Sequence, residues 1–92
     1  MQFLYIIYSK TVDKYYTGES SDTDARLAQH NSGYFKNSYT KIAKDWELKL
    51  VIEFSTIEQA RAAEGFIKKM NSCKFIERLL LDNNWLKEKF MT

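Results

Sequence analysis

Arg26 and His30 stand four residues apart, the spacing that sets two side chains next to each other on one face of a helix. A guanidinium can clamp phosphate oxygens with two hydrogen bonds, and an imidazole can exchange protons near neutral pH, so the pair suits phosphate chemistry. A solvated helix face accounts for the same spacing. Glu64 is the second conspicuous residue. Ile57, Ala60, Ala63, Ile67 and Met70 form an apolar stripe, and at about 100° per residue Glu64 falls between Ile57 and Ala60, at the edge of the core. A carboxylate there has to be neutralised, paired with a cation or bound to a metal. The plainer reading is an ion pair with Lys68 at i+4 or Arg61 at i−3. Tyr5 and Tyr16, in two aromatic and β-branched stretches, can project to one side of a hairpin, where by default they are half-buried packing residues.

The elements that must position these residues follow from pattern. Residues 3–9 and 15–18 read as the strands of a hairpin around a polar turn. Ser21 or Asp22 can cap a helix that runs to about Asn31, with Gly33 placed where a helix end favours positive φ. Residues 34–45 show neither period and read as a loop. Residues 47–54 alternate, which places Leu48, Leu50, Ile52 and Phe54 on one face of a third strand. Ser55 with Glu58 makes a capping-box pattern for a helix over residues 56–70. Two shorter helices follow at residues 74–81 and 84–90. The order ββαβα with a helical tail is an α+β arrangement, and 92 residues leave room for a single domain over 1–92.

Composition narrows the chemistry. Fourteen Lys and Arg against twelve Asp and Glu leave +2, too little to argue for nucleic acid by charge alone. The lone Cys73 excludes an internal disulfide and a multi-cysteine zinc site, and the lone His30 excludes a histidine cluster. A reducing, cytoplasmic setting fits best. No apolar run approaches the roughly 20 residues a membrane span needs, and the N-terminus lacks a signal-peptide pattern, so the chain reads as soluble and unprocessed.

Phe3-Leu4-Tyr5 and Tyr16-Thr17-Gly18 resemble the paired tripeptides of the GIY-YIG nuclease superfamily, with the tyrosines 11 residues apart. The resemblance continues through Arg26 and His30 in TDARLAQHNSG and Glu64 in EQARAAEGFIKK, and covers residues 3–76. It is nearest to small stand-alone members related to the N-terminal domain of the excision-repair nuclease. What it implies is a three-stranded antiparallel sheet flanked by helices and a metal-dependent endonuclease that hydrolyses DNA phosphodiester bonds, selective for DNA structure and linked to repair or processing. By the same resemblance Tyr5, Tyr16, Arg26, His30 and Glu64 are catalytic, and Glu64 is the protein ligand of one Mg²⁺ or Mn²⁺ ion. One tyrosine helps to deprotonate or orient the attacking water, Arg26 offsets charge on the scissile phosphate, and His30 relays a proton or holds the water.

Three departures accompany the match: Phe3 replaces the first glycine, Glu19 stands where some repair members carry lysine, and only Asn71 remains near the position of the family's asparagine. DNA contact, with RNA left open, falls to residues 34–49, where Lys36, Lys41 and Lys44 can hold phosphates while Tyr34, Phe35, Tyr39 and Trp46 stack on exposed bases. The bland counterpart is a solvated loop. A non-catalytic nucleic-acid binding module is the alternative function. A monomer is expected, with a homodimer through the C-terminal helices as the alternative.

Overall fold

The computed structural model describes residues 1–34 and 39–91. Three strands, β1 (Gln2–Ser9), β2 (Lys14–Ser20) and β3 (Trp46–Phe54), form an antiparallel sheet in the order β2-β1-β3. The helices are α1 (Thr23–Ser32), α2 (Ile57–Met70), α3 (Cys73–Leu81) and α4 (Asn84–Phe90), and a 3-10 turn at Tyr39–Ile42 lies within the stretch expected to be loop.

β1 is apolar on both sides because it is covered on both sides. Leu4 and Ile6 point to one face, where Ile52, Phe54, Ala60, Ala63, Ile67, Leu79 and Leu86 complete a core closed by α2, α3 and α4. Tyr5 and Ile7 point to the other, where Ala43 and Trp46 are buried with them and Val12, Tyr16, Leu27 and Leu48 pack alongside. Nine buried side chains against four make the first layer the stronger, since each buried aliphatic residue contributes about 1.5–3 kcal/mol.

The third strand departs from simple alternation. Ile6 pairs with Leu50 but Ile7 pairs with Leu48, so a bulge at Lys49 turns the first part of β3 over. Leu48 therefore joins Trp46 in the second core, not Leu50, Ile52 and Phe54 in the first. Trp46 is buried, and its indole N–H donates to the Thr40 carbonyl at 2.9 Å, so it packs the core and is no stacking platform for a base.

Helix ends follow local chemistry. Asp22, one of the two expected caps, accepts the Ala25 amide at 3.0 Å, and Gly33 closes α1 in the left-handed conformation with φ 78°. The capping box of α2 sits one residue later than expected. Thr56 Oγ1 accepts the Gln59 amide while the Gln59 side chain reaches back to the Thr56 amide, and Ser55 and Glu58 take no such part. Ile57 is then the first helical residue and is 46% exposed, as is Met70, so the buried stripe narrows to Ala60, Ala63 and Ile67. In the tail, Leu79 and Leu86 close the domain's own core, while Leu81 is exposed. Among the described residues no helix is long and apolar enough to cross a membrane.

Candidate active site

β2 is an edge strand, and α1 and α2 both pack against it from opposite faces of the sheet. A cleft of about 280 Å³ opens there, lined by Tyr5, Tyr16, Gly18, Glu19, Arg26, His30 and Glu64. The five residues that sequence singled out for catalysis, carried by β1, β2, α1 and α2, are thus brought to one place. Pairing in the hairpin explains part of this. Tyr5 lies opposite Gly18 and Ile7 opposite Tyr16, so both tyrosines project from the same face, toward α1.

A chain of hydrogen bonds runs from the cleft into the second core. The Tyr5 hydroxyl and His30 Nε2 share one at 2.9 Å, and His30 Nδ1 shares another with the Thr40 hydroxyl at 2.6 Å. Tyr5, His30 and Thr40 are all buried, with the edge of His30 also set against the Tyr16 ring at 5.2 Å. Burial, assisted by the Arg26 guanidinium, pushes His30 down to about 4, so the imidazole is neutral at physiological pH. A neutral ring has one donor and one acceptor nitrogen. Two arrangements satisfy the chain: Tyr5 donates to Nε2 while Nδ1–H donates to Thr40, or Thr40 donates to Nδ1 while Nε2–H donates to Tyr5. Burial and the nearby Tyr16, Glu64 and Glu19 raise the Tyr5 phenol above its ordinary value, so it keeps its proton. Thr40 escaped sequence reasoning because it lies in a stretch without period, and nothing in a threonine's type marks it as the partner of a distant histidine.

Asn31 fixes the helix that carries Arg26 and His30. Its amide donates to the Trp46 carbonyl at 3.0 Å and accepts the Trp46 amide at 2.7 Å, which fastens α1 to the start of β3.

On the opposite side of the cleft, Glu64 forms an ion pair with Lys68 Nζ at 2.7 Å, the i+4 partner anticipated, and its side chain is 20% exposed. Arg61 pairs instead with Glu19 at 3.5 Å, and Gln2 donates to the same Glu19 carboxylate. The negative charge of Glu19 is therefore offset. Lys68 also lies 5.0 Å over the Tyr16 ring. Among the described residues no group of three or more His, Cys, Asp or Glu could cage a metal ion. The donors facing the cleft are carboxylate and phenol oxygens. Of the two carboxylates that line the cleft, Glu19 is engaged by Arg61 and Gln2, which leaves Glu64. A single available carboxylate in an open cleft fits a hard cation such as Mg²⁺, which would keep most of its water and take substrate phosphate oxygens as further ligands. It does not fit a zinc site.

Of the residues expected to meet nucleic acid, Tyr39 does not line this cleft but lies next to it, its ring nearly parallel to that of Tyr16 at 6.3 Å and 19°. Lys41 and Lys44 are exposed and do not line this cleft, and Lys36 and Phe35 lie outside the described residues. Asn71 is the left-handed C-cap of α2 and does not line the active-site cleft.

The sequence model of one family, described as the GIY-YIG catalytic domain, matches residues 1–74. The chain belongs to the GIY-YIG family. Its GIY-YIG segment spans β1 to the start of α3 and so includes all five residues of the cleft. Within this family of nucleases, the chain is similar to the UPF0213 protein YazA of Bacillus subtilis (strain 168), with 33% identity over 72 residues, or 78% of this chain and 71% of that protein. No solved structure gives a significant match. The GIY-YIG tripeptides acquire a physical meaning here: the glycine of the second, Gly18, is the seat for the tyrosine of the first, Tyr5.

Proposed function

We propose that this chain is a divalent-metal-dependent endonuclease that hydrolyses DNA phosphodiester bonds, selective for DNA structure, with a role in repair or processing. The observation that carries the reading is the convergence of Tyr5, Tyr16, Arg26, His30 and Glu64 on one cleft, with the Tyr5–His30 hydrogen bond already made. Arg26 binds the scissile phosphate and offsets the charge that builds on it, the kind of electrostatic stabilisation that dominates phosphoryl-transfer catalysis. Glu64, now paired with Lys68, would hold the ion. The ion, when bound, supplies Lewis-acid polarisation and lowers the pKa of nearby water and phenol groups.

Tyr5 and His30 act as an orienting pair. With His30 neutral, the Tyr5 hydroxyl can either point its proton at Nε2 or accept one from it, so the pair can pass a proton without a charged imidazole at rest. A phosphate anion against Arg26 counters the influence of the guanidinium on His30 and makes the ring a better acceptor. Tyr16 lies beside His30 and lines the same cleft, where its phenol can help to orient the attacking water.

The test is cleavage of nicked, branched, flapped and single-stranded DNAs with Mg²⁺ or Mn²⁺, wild type against Glu64→Ala. Cleavage by the wild type alone supports the reading. Binding with no cleavage by either protein replaces it with a nucleic-acid binding module that keeps the fold.

A further inference from the structure

A larger cleft, of about 390 Å³, adjoins the first and shares Tyr16 with it. It lies between the hairpin end of β2, the Tyr39–Ile42 turn and the junction of α2 with α3. We infer that it is a subsite for one unpaired nucleotide of the cleaved strand, the neighbour of the scissile phosphate. The inference rests on the reading of the adjoining cleft as a nucleic-acid site.

Shape, ring surface and charge support it together. The volume is that of a small-ligand pocket and admits a single base with its sugar. Ile67 and Ile76 supply an apolar floor, and Tyr39, nearly half exposed and roughly parallel to Tyr16, supplies a flat wall on which a base can stack. Lys14 and Lys68 bring two positive charges to the lining, against the single carboxylate of Asp13, which is already engaged by the Tyr8 phenol. Asn71, held in the wall by its left-handed backbone, adds an amide able to donate and accept.

Lys68 ties the two clefts together. Its ammonium group pairs with Glu64 on one side and lines the second cleft on the other. Were Glu64 to hold a metal ion, the same ammonium would be available to a phosphate of the strand. A base stacked within a duplex cannot reach Tyr39 without leaving the stack, which costs free energy that an unpaired base does not. The cleft therefore favours nicks, flaps and single strands and discriminates against intact duplex.

The chain's sole cysteine provides the probe, since Cys73 is exposed and lines this cleft. The experiment follows N-ethylmaleimide labelling of Cys73 in chelator, with a short oligothymidylate, the same strand paired to oligodeoxyadenylate, or thymidine 5′-monophosphate. The single strand is expected to slow labelling about fivefold or more, the duplex and the mononucleotide to leave it nearly unchanged. Lys14→Glu is expected to abolish the protection, and Lys89→Glu, on α4 and outside the cleft, to preserve it. Equal protection by the mononucleotide would make the cleft a free-nucleotide site, and equal protection by duplex would make it a plain phosphate contact; either overturns the subsite. Metal-dependent cleavage with Cys73 unprotected by any strand would remove the subsite and leave the nuclease reading standing. Protection with no cleavage under any metal would keep the subsite and remove the nuclease reading.

Discussion

The Tyr5 phenol lies directly on Gly18: a Cβ built on that glycine would come within 2.5 Å of Tyr5 Oη and 2.6 Å of Cζ. The backbone at Gly18 is not in the left-handed region, so only space demands glycine here. The Tyr5 hydroxyl is also tied to His30 by a hydrogen bond and the side chain is buried, so the ring cannot shift without breaking that bond. Gly18→Ala is expected to cost about 1–3 kcal/mol in urea unfolding, the usual penalty of overpacking, and to break the Tyr5–His30 bond. Combined with Tyr5→Ala, its cost should shrink, because the two side chains would no longer compete for one volume.

His30 makes stability depend on pH over a defined window. Above its ordinary value of 6.5, folded and unfolded chains both hold a neutral ring. Below it, the unfolded chain takes up a proton that the folded chain refuses until about 4, so stability falls as pH drops through that interval and levels off beneath it. The loss is at most roughly 3 kcal/mol. His30 is the sole histidine, so the difference in unfolding midpoint between wild type and His30→Gln across the interval isolates it. A variant slope equal to the wild type's would mean that the ring is not held neutral by burial.

On the proposed reading, Lys68 would compete with a divalent ion for Glu64. The ion pair is partly exposed, a class worth only about 0.2–1 kcal/mol, so Lys68→Met should tighten Mn²⁺ binding about two- to fivefold and barely move stability. Calorimetry or the spin-resonance signal of free Mn²⁺ reads this without any turnover. Glu64→Gln should remove the binding.

Asn31 tests whether α1 can be loosened without touching a catalytic group. Removing its two hydrogen bonds to the Trp46 backbone leaves part-buried amide and carbonyl groups without these partners, and Asn31→Ala is expected to cost about 1–2 kcal/mol. Activity should fall with it, since Arg26 and His30 move with the helix. Full activity in a destabilised Asn31→Ala protein would show that the cleft does not depend on this anchor.

Much of the frame was written in periodicity and caps, and the exceptions have physical reasons. Asp22 and Gly33 announce both ends of α1 because each supplies chemistry a helix end requires. Ser55-x-x-Glu58 and Thr56-x-x-Gln59 satisfy the same capping pattern one residue apart, and only the tertiary setting selects the second. The bulge at Lys49 is silent in sequence, because alternation continues through it while the strand turns over. In the site, the tripeptides, Arg26, His30 and Glu64 were legible through resemblance. Helical spacing alone reads Glu64 as the ion-pair partner of Lys68, and that pair is made. Thr40 and the seating of Tyr5 on Gly18 depend on contacts between segments far apart in the chain, where no local pattern can reveal them.

The unequal cores bear on how such a protein fails. Arg26 and His30 ride on the layer closed by four buried side chains, and Glu64 on the layer closed by nine. Local opening favours the weaker unit, so α1 would swing away while the sheet and the other three helices stay intact. Warming would then silence the chain before it melts, leaving a folded remnant with half of its chemistry facing empty water.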